Sequence, residues 1–313
     1  MNKHSSIKSA GSLLERASEK YDFGSSLRGG GSPVVPVPAP EPIAVQPVTE
    51  PAMSPAPVDS KASVRHASSN VATINRERLA AKNFIVPDGP VTGLSEEFRI
   101  VKRQLLLAAR GGKGIEAIEH GERILICSAH PNEGKTFCAI NLALSMASEK
   151  DNRVLLVDAD FAKPSVLSTL GIESGPGFMD ALADPTCDAE SFIIETDVHG
   201  LSILPAGAQT NSDTEYLAAS RTAAVIDQLT RNDPSRIIIF DSPPALAASP
   251  ASVLALHVGQ ILMVVQADET TDSALRDALS LLSGCDHVQL LLNRTKFSPT
   301  GRQFGNYYGY GAS

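Results

Sequence analysis

The residues best equipped for chemistry lie in one run, Ser128-Ala129-His130-Pro131-Asn132-Glu133-Gly134-Lys135-Thr136-Phe137. Gly134-Lys135-Thr136 matches the end of a phosphate-binding loop, with Ala129 where the usual pattern opens on Gly. A loop that curls onto a helix start aims several backbone N–H groups at one point, and the helix dipole adds to them. On this reading Pro131, Asn132, Glu133, Gly134, Lys135, Thr136 and Phe137 surround a bound nucleotide. Gly134 permits close backbone approach, Lys135 reaches the β- and γ-phosphate oxygens, and the Thr136 hydroxyl ligates Mg²⁺. Two further runs end in acid. Val154-Leu155-Leu156-Val157-Asp158-Ala159-Asp160 puts two carboxylates at alternate positions, and Ile237-Ile238-Ile239-Phe240-Asp241 adds a third before a Pro243-Pro244 turn that cannot continue a strand. Aspartate is common where strands stop, so one alone would mean little. Three beside a Lys-Thr loop point to a Mg²⁺–nucleotide site.

These side chains need a scaffold that brings strand ends together. Short apolar runs rich in branched residues predict strands at Arg123–Ser128, Arg153–Asp158, Leu201–Pro205, Arg236–Asp241, Gln260–Ala267 and His287–Asn293. Helical spacing predicts Lys135–Ser148, Asp213–Thr230, Ser249–His257 and Thr271–Ser283 between them, and a helix opening near Ser95 that buries Phe98, Val101, Leu105 and Leu106. Near-continuous apolar strands alternating with helices imply an α/β fold of the P-loop NTPase type. Its doubly wound, mostly parallel sheet carries helices on both faces and its site at the carboxyl ends of the strands.

The rest of the chain divides around that domain. Residues 1–23 hold one candidate amphipathic helix, and 24–93 are expected to be a disordered, proline-rich linker, since residues 29–60 alone carry nine of the 21 prolines. The catalytic domain is expected over 94–298 and a flexible tail over 299–313. Residues 1–80 carry nine Lys/Arg against seven Asp/Glu, and the remainder eighteen against 28, so the folded part is acidic and unsuited to nucleic acid. The four cysteines show neither C-x-x-C nor zinc spacing and read as small core residues. The longest apolar runs are about five residues, far short of a bilayer span. The first twenty residues lack the apolar stretch of a secretory signal, so the expected address is the cytoplasm.

Together these motifs resemble the bacterial tyrosine autokinases of capsule and exopolysaccharide systems. The likeness covers roughly residues 94–313. Ser128–Thr136 is similar to that family's Walker A loop, Val157–Pro164 to its additional Walker motif, and Phe240–Pro244 to its Walker B motif. The family usually has Gly where Asn132 stands and Arg where Ala162 stands. Glu96, Arg99 and Lys102 resemble its E-x-x-R-x-x-R oligomerisation helix, with Lys replacing the last Arg. Asn306-Tyr307-Tyr308-Gly309-Tyr310-Gly311 resembles its C-terminal tyrosine cluster, and the whole order of motifs is most similar to the exosortase-associated variety.

The resemblance implies phosphoryl transfer from ATP to Tyr307, Tyr308 and Tyr310, between neighbouring subunits of a homo-oligomer such as a ring. Lys135, Asp158, Asp160 and Asp241 would be catalytic, and Thr136, Asp158 and Asp241 would hold Mg²⁺. Either Asp158 or Asp160 would take the tyrosine proton. Asn293 would bond the adenine, or else cap its strand. A membrane chain-length regulator of the Wzz-like kind is the implied activator, holding the kinase peripherally at the inner membrane. The rival reading is a positioning ATPase of the MinD/ParA kind, which switches without phosphorylating protein. That class carries a lysine where His130 stands.

Overall fold

Runs such as Arg-Ile-Leu-Ile-Cys-Ser and Arg-Ile-Ile-Ile-Phe-Asp bury every residue they contain, because both faces of their sheet are covered. The structure is a computed structural model that describes residues 71–112 and 114–296. Seven strands form one sheet: β1 (Arg123–Ser128), β2 (Arg153–Asp158), β3 (Ile194–Glu195), β4 (Leu201–Leu204), β5 (Arg236–Asp241), β6 (Gln260–Gln266) and β7 (Val288–Asn293). Their order is β3-β4-β2-β5-β1-β6-β7. All neighbours pair in parallel except β3 with β4. The six expected strands are present within a residue at each end. Only the two-residue β3 is additional, too short to carry an alternation of its own.

Helices cover both faces. On one side pack α1 (Arg76–Ala81), α2 (Gly93–Arg110), α3 (Lys135–Ala147) and α4 (Val166–Leu170), around Leu79, Leu105, Ile126, Ile140 and Leu156. On the other pack α5 (Phe178–Ala183), α6 (Asp213–Ala218), α7 (Ser220–Asn232), α8 (Pro250–Leu254) and α9 (Asp272–Leu281), around Leu125, Leu155, Phe178, Ile226 and Phe240. The expected helix 213–230 breaks at Ala219, whose ψ of 150° is extended. The Thr222 hydroxyl donates to the Tyr216 carbonyl at 3.0 Å and so satisfies an acceptor at the break.

The linker boundary at 93 is corrected. Residues 71–92 belong to the domain. Ala72 exchanges backbone hydrogen bonds with the β3 region, its N–H to Glu195 at 2.8 Å and its carbonyl from Asp197 at 3.0 Å. Asn75 caps α1 by accepting from the Arg78 N–H at 2.8 Å, and Ile74 and Leu79 are fully buried. Apolar anchors this deep outweigh the neighbouring prolines. Helix α2 begins two residues before Ser95, because Thr92 and Ser95 form a reciprocal capping box.

Candidate active site

The phosphate loop follows β1 in the middle of the sheet, and its shape rests on two left-handed residues. Asn132 has φ +67° and Gly134 φ +99°. Asparagine is among the few side chains that tolerate this region, so it stands in for the family's Gly without removing the turn. Gly134 has no substitute. A Cβ there would lie 2.2 Å from Asn293 Nδ2 as well as straining the backbone.

Three side chains brace the loop from behind. The buried Glu133 carboxylate accepts the His130 N–H at 2.8 Å and the Thr270 hydroxyl. Asn293, at the end of β7, donates Nδ2 to the Glu133 carbonyl at 2.8 Å. The Glu133 side chain therefore stiffens the loop and does not point at a ligand, and Asn293 is a loop clamp. The Phe137 ring turns away to pack against Phe84, tilted at 47° with centroids 4.8 Å apart. Only the backbone of Phe137 faces the loop. Cys138 N–H is the first to bond within the helix, to Gly134 at 2.9 Å, which leaves the amides of Lys135, Thr136 and Phe137 as the free donors of the first turn.

The acids converge from the strands beside it. Asp158 and Asp241 are register partners at the ends of β2 and β5. Asp158 Oδ2 accepts from Ser165 N–H at 2.9 Å and Val166 N–H at 3.0 Å, and its Oδ1 from Asp160 N–H at 3.3 Å. Burial pushes its pKa up to about 6, against the pull of those amides. Asp241 is fully buried, and neither of its oxygens has a hydrogen-bond partner among the described residues. Desolvation first, and the charge of Asp158 second, push it up to about 7, tempered by Lys135 and by the Thr136 hydroxyl, which lies close without meeting hydrogen-bond geometry. Lys135 Nζ rests 3.3 Å from Asp160 Oδ2, and Ser165 Oγ donates to Thr136 Oγ1 at 3.3 Å.

Two orphaned carboxylate oxygens beside a hydroxyl are what a hard cation requires. Among the described residues no group of three or more His, Cys, Asp or Glu makes a self-sufficient metal cage. That suits Mg²⁺, which takes one or two carboxylates and completes its shell with water and phosphate.

Sequence reasoning missed Ser165 and Thr270. Each lies in a loop at the carboxyl edge, the one signal that pointed to them. It also misjudged Lys102, which is buried on α2, with Nζ 2.8 Å from the Ser145 carbonyl and 3.0 Å from Glu149. That lysine ties α2 to the end of α3. Glu96 and Arg99 pair with each other on the outer side. Cys127 and Cys138 are core thiols, pushed by burial up to about 11 and about 12, whereas Cys187 is only half-buried. Tyr307, Tyr308, Tyr310 and the expected N-terminal helix lie outside the described residues. Among the described residues no helix is long and apolar enough to cross a membrane.

A glycine-anchored loop opening a helix, flanked by buried strand-end acids on a parallel sheet, defines a P-loop nucleotide-binding domain. The chain belongs to the AAA domain family, whose sequence pattern spans residues 122–295. It is similar to the tyrosine-protein kinase YwqD of Bacillus subtilis, 26% identical over 238 residues that make up 75% of this chain and 94% of that one. It is also similar to the tyrosine-protein kinase wzc of Salmonella typhimurium, 29% identical over 190 residues, 60% of this chain but only 26% of that longer protein. The crystal structure of the VpsO kinase domain superposes with a TM-score of 0.52 at 28% identity, covering 63% of this chain and 94% of that one. The chimerical protein CapA2B2 shares the fold, with a TM-score of 0.59 at 23% identity over 72% of this chain and 93% of that one. The resemblance to bacterial tyrosine autokinases is borne out by these matches.

Proposed function

We propose that the chain is an ATP-dependent protein-tyrosine kinase that phosphorylates its own C-terminal tyrosines between subunits and thereby regulates exopolysaccharide assembly. The observation that carries this reading is Asp241, buried without partners beside Thr136 and at the edge of the phosphate loop. Mg²⁺ would be held there by Asp241 and Thr136, with Asp158 directly or through water, and supplies charge neutralisation on the phosphates.

The residues of the chain do the rest. The free amides of Lys135, Thr136 and Phe137 hold the phosphates. Lys135, parked on Asp160 in this state, moves to the β- and γ-phosphate oxygens and stabilises the charge that builds on the transferring group. The tyrosine oxygen bonds to the γ-phosphorus, the bond to the β-phosphate oxygen breaks, and ADP leaves with that electron pair. The phenolic proton passes to a carboxylate, Asp158 or the Asp160 that Lys135 releases.

Subunit contact through the exposed side of α2, with Glu96 and Arg99, would bring one tail to the next site and close a ring. Three phosphates would add about −5 to −6 to the tail, enough to part acidic subunits. A Wzz-like membrane chain-length regulator is the proposed activator and tether at the inner membrane. The exosortase-associated variety is supported by the order of motifs and the tyrosine tail. The positioning-ATPase alternative lacks its signature: the loop has exposed His130, not lysine, and that residue's N–H is spent on Glu133.

The test is incubation of the full chain with Mg-ATP, alone and with a fragment of the activator, followed by mass spectrometry of the C-terminal peptide. Lys135→Met abolishes the label. Replacing Tyr307, Tyr308 and Tyr310 with Phe removes the label and keeps nucleotide binding. ATP bound and hydrolysed over bare tyrosines, with the activator present, would overturn the kinase reading in favour of the positioning ATPase.

A further inference from the structure

The sheet guards one of its two edges and leaves the other bare. Strand β3 is two residues long, and Ala72 covers its outer side, donating to the Glu195 carbonyl and accepting from the Asp197 N–H. At the far edge lies β7, six residues long and paired to β6 alone among the described residues. Its sequence, Val288-Gln289-Leu290-Leu291-Leu292-Asn293, has neither the charge nor the proline that usually keeps an edge from recruiting another strand.

The hydrogen bonds to β6 fix which groups stand free. Ile261 N–H donates to the His287 carbonyl and Ala267 N–H to the Asn293 carbonyl, each at 2.9 Å. Partners alternate along a strand, so His287, Gln289, Leu291 and Asn293 face β6. Val288, Leu290 and Leu292 therefore turn their N–H and C=O groups outward. The side chains of these three share the sheet face on which α9 packs, and Leu290 and Leu292 are each 57% exposed there.

The flanks of the strand identify what fits it. Asp286 precedes β7 and Arg294 follows it. Both are exposed, and neither forms an ion pair among the described residues, although Arg294 donates to Gln266 Oε1 at 3.1 Å. A second β7, run antiparallel about a two-fold axis at Leu290, answers each of these features. Leu290 then meets Leu290, Val288 meets Leu292, and Asp286 meets Arg294 at both ends. The outward groups exchange roughly six backbone hydrogen bonds. Moving the register by two residues either way sets an apolar side chain against a charge, Val288 against Arg294 or Leu292 against Asp286.

We propose that the β7 edge is an interaction surface for a second copy of the chain, joining two sheets through antiparallel Val288–Asn293 strands. The proposal is independent of the chemistry assigned to the phosphate loop. Because the paired strands run in opposite directions, the two carboxyl edges, each with its loop, face away from one another. This contact is therefore a different one from the α2 contact proposed for tail delivery.

The test is oxidative cross-linking of the full chain, with the linked peptide identified by mass spectrometry. Residues paired across the axis have Cα atoms about 5.5 Å apart, a separation that a disulfide spans. Leu290→Cys is expected to link to its own copy at least about tenfold more than Leu292→Cys, which meets Val288 instead. In sedimentation velocity, Leu290→Lys should weaken self-association by about tenfold or more. Asp286→Arg should weaken it by about threefold, and adding Arg294→Asp should restore it to within about twofold of wild type, a recovery that a folding defect would not give. A folded Leu290→Cys chain that forms no such link, equal linking by Leu292→Cys, or unchanged association of Leu290→Lys would overturn the proposal. So would a link that forms only after the chain is cut back to Lys296, which would give the edge to the chain's own C-terminal segment.

Discussion

Replacing Asp241 with Asn should stabilise the nucleotide-free protein, although it removes the carboxylate proposed to hold Mg²⁺. The carboxyl group is fully buried without partners, and its pKa rises from an ordinary 3.8 to about 7. Between those values the folded chain holds a proton that the unfolded chain has lost, so stability falls as pH rises through this window. Above pH 7 the full penalty applies. At about 1.4 kcal/mol for each pH unit, its ceiling is roughly 4 kcal/mol. Asparagine carries no charge and escapes that cost. Urea unfolding of the EDTA-treated full chain should find Asp241→Asn more stable than wild type by about 2–4 kcal/mol at pH 8. At pH 5, where wild-type Asp241 is protonated, most of the gap should close. Mg-ADP at a thousand times the wild-type Kd should close or reverse the gap, since about 4.1 kcal/mol then accrues to the binding-competent wild type. An Asn variant equal to or weaker than wild type at pH 8 without metal would refute the reasoning, because it would mean Asp241 is solvated or already partnered.

The same proton links to ligand binding: Mg-ATP affinity measured by calorimetry should fall by about tenfold for each pH unit below 7, because Asp241 must ionise before it takes the cation. Gly134→Ala should abolish nucleotide binding, and adding Asn293→Ala should restore only part of it, since that removes the 2.2 Å clash but leaves the strain of φ +99°. Lys102→Met should lower stability by about 1–2 kcal/mol in urea titrations without changing oligomeric state. Arg99→Ala should do the converse, weakening self-association by light scattering at a stability cost under about 1 kcal/mol.

Where a signal is local, the sequence carried it well. The six long strands announced themselves because burial on both faces demands unbroken branched residues, and their ends marked where the acids would meet. The loop was legible for the same reason: Gly134-Lys135-Thr136 between a strand and a helix has few other uses. Side-chain direction was not legible. Glu133, Asn293 and Phe137 were grouped by proximity to the loop, yet one braces it, one clamps it and one faces a ring more than fifty positions upstream. Lys102 failed for a geometric cause. Residues at spacings of three step back by about 60° each, so Lys102 lies about 120° around the helix from Glu96 and falls on the side that packs inward. Residues 71–92 were lost because composition averages over a window, whereas two buried side chains, Ile74 and Leu79, are enough to dock a short helix.

The two register-paired acids show why burial alone does not define a role. Asp158 and Asp241 occupy equivalent strand ends and both have raised pKa values. Asp158, however, is held by three backbone N–H groups, which fix its orientation and saturate much of its accepting capacity. Asp241 has none, so its electrostatic cost is relieved only when something positive arrives. A fold keeps such an unrelieved charge where a ligand will compensate it, which supports the proposal that Asp241 makes the direct cation contact, with Asp158 held in place by its three amides. An Asp158→Asn variant should then retain more Mg-ADP affinity than Asp241→Asn while losing tyrosine phosphorylation just as completely. Equal loss of Mg-ADP affinity in both variants would collapse the distinction.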